Sequence, residues 1–171
     1  ISADAGSEIT LRAETSIFVD GVIDAPAGRI NLLVGDGPGG FRPEQMIWLG
    51  AGSALRANGT ALIDTANAAR LRRGEVLDAG RITVRAEQGS IIGAAGASIS
   101  VDGARDVLDL GAGIPVPTAV ASAAGTVELT AAESILYQGS LSGAAPAGSQ
   151  AAAGRLIVGL DASNRGIEPL I

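Results

Sequence analysis

Two short patterns recur along this chain, and recurrence on this scale restricts the fold more than any other feature of the sequence. The first is apolar, any residue, apolar, an acid or amide, then glycine. It occurs as Ile17-Phe18-Val19-Asp20-Gly21, Leu55-Arg56-Ala57-Asn58-Gly59, Ile99-Ser100-Val101-Asp102-Gly103 and Ile135-Leu136-Tyr137-Gln138-Gly139. The second is glycine followed by alternating apolar positions, as in Gly28-Arg29-Ile30-Asn31-Leu32, Gly80-Arg81-Ile82-Thr83-Val84, Gly125-Thr126-Val127-Glu128-Leu129 and Gly154-Arg155-Leu156-Ile157-Val158. Alternation with a period of two means strands with one buried and one outward face. An acid or amide before glycine marks a turn, because glycine reaches positive φ freely and the short polar side chain satisfies nearby backbone groups.

A longer match supplies a register. The stretch from Ile47 to Leu55 aligns with that from Ile91 to Ile99 at a constant shift of 44 residues, and the match continues through Asn58-Gly59 and Asp102-Gly103. These segments read as neighbouring coils of one stack, with Leu55 against Ile99. Equivalent strands would pair at ~4.8 Å and line the interior with aliphatic ladders. The expected fold is all-β: a right-handed parallel β-helix, a solenoid of about five coils, its hand taken from the crossover preference of parallel strands. An antiparallel sandwich also alternates, but it has no reason to repeat one corner sequence.

Composition agrees with such an interior. Hydrophobic residues make up 47% of the chain and aromatics only 2%, so small and branched side chains must fill the core. Residues 1–171 read as a single segment with insertions at about 35–46, 60–79, 104–124 and 140–153. The last three follow the acid/amide-glycine corner and are expected to leave at one common corner, side by side. The stretch from Asp64 to Gly74 predicts a short helix, capped by Asp64 or Thr65 and closed by Gly74. Residues 104–124 are apolar, with Pro115 and Pro117 preventing a continuous helix, and are expected to lie down against the rod. The start at Ile1, without methionine, reads as an interior piece of a larger protein.

A formal net charge of −6 and a pI near 4.6 argue against nucleic acid and anionic membranes as partners. The basic run Arg70, Arg72 and Arg73 reads either as a solvated loop face or as a binding patch. Cysteine and histidine are absent, which excludes thiol catalysis, disulfides and most zinc chemistry. No apolar run approaches the ~18–20 residues of a membrane-spanning helix. Asp20, Asn58 and Asp102 read as equivalent corners, with Asp106 and Asp109 nearby, which raises the question of a carboxylate row. General acid–base work needs two carboxylates with separated pKa values, whereas each of these aspartates has a turn-forming explanation and lysine is absent. The expectation is no catalysis, no cofactor and no metal. Gly35 to Phe41 resembles one fragment of a calcium-binding nonapeptide, which works only in tandem copies.

If Ile47 and Leu49 point inward, Trp48 points out, as does Ile92 one coil further on, with Phe18 and Leu136 outward in their own strands. Either the insertions cover these residues, or Trp48 is a platform for stacking a sugar ring, or a neighbouring molecule docks there. The candidate ligand or partner surface is therefore Trp48, Ile92, Arg70, Arg72 and Arg73.

The opening of Gly80 to Ala86, more loosely of Ser7 to Ala13, and the corners at Ile17 and Ile99 resemble filamentous-haemagglutinin-like adhesins of the two-partner secretion class. The resemblance covers roughly 7–143 and 154–160. It implies a right-handed β-helical shaft, secreted to the bacterial cell surface through an outer-membrane partner and serving adhesion, aggregation or biofilm formation. Its implied partners are the preceding and following coils of the parent chain, the outer-membrane secretion partner and a surface glycan, without nucleic acid or membrane insertion. The secretion domain of that family carries Asn-Pro motifs; none occurs here, so the resemblance points to the shaft or an interior region. The alternative reading is a β-helical polysaccharide-binding or polysaccharide-degrading protein, such as pectate lyases and polygalacturonases.

Overall fold

The computed structural model describes residues 1–35, 44–66, 71–111 and 113–161. Alternating sequence becomes strand throughout, and seventeen strands, numbered in chain order, account for all regular structure among the described residues; none of it is helical. Thirteen of these strands form three parallel sheets, and the other four make two hairpins. The first contains, in spatial order, β1 (Glu8–Ala13), β4 (Arg29–Val34), β9 (Arg81–Ala86), β14 (Thr126–Ala131) and β17 (Arg155–Leu160). The second contains β2 (Ser16–Val19), β5 (Met46–Leu49), β10 (Ser90–Gly93) and β15 (Ser134–Tyr137). The third contains β3 (Val22–Asp24), β6 (Ala54–Arg56), β11 (Ser98–Ser100) and β16 (Ser140–Ser142). The chain visits the first, second and third sheets in turn, then returns to the first one strand further along.

Register puts like on like. Ile17, Ile47, Ile91 and Ile135 form one column, and Ile23, Leu55, Ile99 and Leu141 another. In the first sheet Ile9, Ile30, Ile82, Val127 and Leu156 are successive partners. Inward side chains of all three sheets belong to one core, in which Ile30, Leu32, Ile47, Leu49, Leu55 and Ile82 are fully buried. Burying each such side chain is worth about 1.5–3 kcal/mol, which makes these columns the main source of stability. At β17 the inward positions Leu156, Val158 and Leu160 remain 52–64% exposed, because no described strand pairs with its outer edge.

The corners differ from the sequence expectation. The acid/amide-glycine motif marks two corners, not one. Ile17–Val19 and Ile135–Tyr137 lie in the second sheet, whereas Leu55 and Ile99 lie in the third. Asp20 therefore is not equivalent to Asn58 and Asp102. Nor does positive φ explain the glycines, since Gly21, Gly59, Gly103 and Gly139 all avoid it. Close approach explains three of them: a Cβ would lie 2.8 Å from the Leu77 carbonyl oxygen at Gly59, 2.3 Å from that of Ser122 at Gly103 and 2.2 Å from that of Ala97 at Gly139. The same holds for the glycines that open the first sheet. A Cβ on Gly80 would sit 1.7 Å from the Gly28 carbonyl oxygen, and one on Gly125 would sit 2.0 Å from that of Gly80. Those carbonyls accept instead from the Arg81 and Thr126 amides, which lets successive strands pair right up to the corner.

The first two insertions after the third sheet are antiparallel hairpins. β7 (Thr60–Asp64) pairs with β8 (Arg73–Leu77), and β12 (Arg105–Leu110) pairs with β13 (Val116–Ala121). The helix expected over Asp64–Gly74 is not formed: Asp64 ends β7, and Arg73 and Gly74 open β8, with 67–70 outside the described residues. Helix propensity there is overridden by pairing of the flanking strands. The second hairpin does not lie down on the parallel stack as an apolar loop would. Leu108 is buried, but Val107, Leu110, Ile114 and Val116 are 42–87% exposed, since a two-stranded ribbon shelters little of its apolar surface. The last insertion starts later than 140, because Ser140–Ser142 is a strand of the third sheet. The excursion expected at 35–46 ends sooner, Met46 opening β5; its residues 36–43 lie outside the described set. Gln45 ties its two ends, donating from Nε2 to the Glu14 and Gly35 carbonyls at 2.6 and 2.9 Å.

Candidate functional site

Strand alternation aims every second side chain of the second sheet outward. Phe18, Trp48, Ile92 and Leu136 are successive partners and form one outward column, with Ser16, Met46, Ser90 and Ser134 in the column beside it. Phe18 and Trp48 lie with ring centroids 6.0 Å apart, tilted at 55°. The Ser134 hydroxyl donates to Ser90 Oγ at 2.9 Å. None of these eight side chains is charged. Among the described residues no insertion covers Phe18 or Leu136, which are 65% and 55% exposed. Both hairpins leave between the third and first sheets, away from this face, and their strands pack on each other through β8 and β12. Trp48 and Ile92 are half-buried.

The two described members of the basic run differ in their partners. Arg70 lies outside the described residues. Arg73 is exposed in β8, opposite Asp64. Arg72 is engaged within the protein: its Nε and Nη2 donate to the two carboxylate oxygens of Asp106 at 3.0 and 2.5 Å, its amide donates to Asp109 Oδ2 at 2.7 Å, and its carbonyl accepts from the Asp109 amide at 2.8 Å. This fork joins one hairpin to the other. The Arg72 hydrogen bonds, with a smaller contribution from the Val107 amide, hold the Asp106 carboxyl below the usual carboxylate range, and Asp106 in turn raises the Arg72 guanidinium. Arg72 is thus a hairpin clasp, not part of a free cationic patch.

The corner acids and amide bond the neighbouring strand layer, not their own turns. Asp20 Oδ1 accepts from the Gly52 amide at 3.0 Å, and Asn58 Oδ1 accepts from the Asp102 amide at 2.8 Å. Asp102 Oδ1 accepts from the Ala144 amide and the Ser142 hydroxyl at 2.7 and 2.5 Å. Tyr137, at an inward position, fits because its partner Gly93 has no side chain: a Cβ there would lie 2.3 Å from the ring. Partial burial pushes the phenol up to about 12.

Sequence reasoning overlooked one set of residues. The outward positions of the first sheet carry Arg12, Arg29, Arg81, Arg85 and Arg155, all exposed. Their signal was the arginine directly after glycine in Gly28-Arg29, Gly80-Arg81 and Gly154-Arg155, visible once those motifs are placed one above another. No protein-family model matches the chain, and no curated protein or solved structure matches it either. The likeness to filamentous-haemagglutinin-like adhesins therefore stands on the repeat motifs alone.

Proposed function

We propose that the three parallel sheets are the faces of a right-handed parallel β-helix, and that the chain is a non-catalytic structural and adhesive segment of a large secreted bacterial surface protein. The cyclic visiting order of the sheets, with matching aliphatic residues in register, carries this reading. A stack of this kind lengthens by adding like strands, and among the described residues none pairs with the outer edge of β17. Export through an outer-membrane partner fits a chain without cysteine, which carries no disulfide to obstruct passage unfolded. The bonds that tie Asp20 and Asp102 to backbone amides of the neighbouring strand layer favour a structural role for them over an acid–base one.

Labelling of intact producing cells with antibody raised against this chain tests the reading. Surface signal, together with weaker cell–cell aggregation after deletion of the gene, is the expected result. Signal that appears only after permeabilisation would overturn it.

A further inference from the structure

We infer that the outward face of the first sheet binds a linear anionic polysaccharide through its arginines. The fifteen outward positions of β1, β4, β9, β14 and β17 hold five arginines, out of twelve basic residues in the whole chain, against two acids, Glu8 and Glu128. A chain with a formal net charge of −6 thus concentrates positive charge on one flat face.

The fold itself does not account for this. Arg29 and Arg81 are direct partners on adjacent strands, and like charges so placed destabilise a sheet. Relief inside the protein is slight. Arg81 reaches Glu128 at 3.8 Å and Arg85 reaches Glu87 at 3.7 Å, both long and solvent-exposed contacts. Glu8 stands opposite Arg29 but accepts from Asn31 and Thr10 instead, at 2.8 and 3.2 Å. Among the described residues Arg12, Arg29 and Arg155 form no ion pair. An anion lying across Arg29 and Arg81 would remove the repulsion between them.

A groove of about 630 Å³ opens beside this pair, floored by the backbone of Gly28 and Gly80. Its one carboxylate, Asp78, accepts from the Ala123 amide at 2.7 Å. Guanidinium groups suit carboxylate and sulfate groups because they present paired donors in a planar fork. Thr10, Asn31, Thr83, Thr126 and Thr130 stand among them and supply hydrogen-bonding partners for sugar hydroxyls. The face contains no aromatic residue, and single-stranded nucleic acid relies on aromatic stacking. That favours a polysaccharide. The inference supplies a ligand for the adhesive reading and rests on it for biological setting, although the binding can be tested on the isolated chain.

Binding of the 171-residue chain to alginate, dextran sulfate, neutral dextran and a single-stranded DNA oligonucleotide, followed by biolayer interferometry, provides the test. Alginate or dextran sulfate should bind, neutral dextran should not, and added salt should weaken binding. The double variant Arg29→Gln/Arg81→Gln should lose at least about tenfold in affinity, the loss expected for charge-assisted contacts. Arg56→Gln, an exposed arginine of the third sheet, should bind like the parent. Absence of binding to both polyanions by chain with an intact β-sheet circular dichroism spectrum would overturn the inference. So would unchanged affinity in the double variant, equal loss in Arg56→Gln, or tighter binding to the DNA. None of these outcomes alters the surface-labelling result, so the two readings fail separately.

Discussion

Leu55 lies against Ile99 as its direct partner between β6 and β11, and both side chains are at most 1% exposed. A shift of 44 positions along the chain has become one step between paired strands. Ile23 and Leu141 flank the pair in the same column, so each side chain is sealed from above and below by its own equivalents.

Leu55→Ala should cost about 2–5 kcal/mol, as should Ile99→Ala, because each removes a fully buried side chain from a close-packed column. The double variant should depart from the sum of the two by about 0.5 kcal/mol or more, since the two truncations share one cavity. Urea denaturation of the four proteins measures this. Strict additivity would show that the two side chains do not pack on each other.

Glycines should divide into two classes. Gly80→Ala places a methyl 1.7 Å from the Gly28 carbonyl oxygen and should destabilise by on the order of 2 kcal/mol or more, as strand pairing shifts to relieve the clash. Gly21→Ala meets nothing within 4 Å and needs no positive φ, so its effect should stay within about 0.5 kcal/mol. Thermal denaturation of the two variants separates the classes, and similar melting temperatures would contradict this account of the corners.

The hairpin clasp should open in acid. Asp106 has a folded pKa below its unfolded value, so its contribution is present above the ordinary carboxylate range, near ~3.9, and lost as pH falls through the folded pKa. Both partners face solvent, so global stability should change little. The protection factor of the Asp109 amide, which donates to the Arg72 carbonyl, should fall at low pH once the intrinsic exchange rate at each pH is divided out, and should fall at neutral pH in Arg72→Ala. Protection that survives the substitution would mean the hairpins dock without the clasp.

Tyr137 is the one tyrosine in the chain, so its titration can be followed by phenolate absorbance without overlap. Its folded pKa is raised to about 12, against ~10 for an unfolded tyrosine. The associated stability is present below the unfolded value and lost as pH rises through the folded one. Native protein should therefore titrate later than protein in denaturant, and coincident midpoints would place the ring in water. Gly93→Ala should disturb the same signal, because the ring occupies the space above Gly93.

Strand positions, inward columns and the pairing of Leu55 with Ile99 were legible in sequence because each depends on a local period of two and on like residues stacking. The corners were not. Ile17-Phe18-Val19-Asp20-Gly21 and Ile99-Ser100-Val101-Asp102-Gly103 look alike as strings, yet one ends a strand of the second sheet and the other follows a strand of the third. An apolar alternation followed by a turn satisfies either corner, and no local signal distinguishes them.

Alternation along the chain was enough to establish an all-β fold, repeated strands and the side chains that fill the core, since burial follows alternation wherever a sheet has one covered face. Long-range pairing settled the rest: residues 60–79 and 104–124 carry hairpins, and Arg72 clasps Asp106. The clasp joins residues more than thirty positions apart, and the first hairpin sets strand pairing against local helix propensity, so neither is encoded in any short window of the chain.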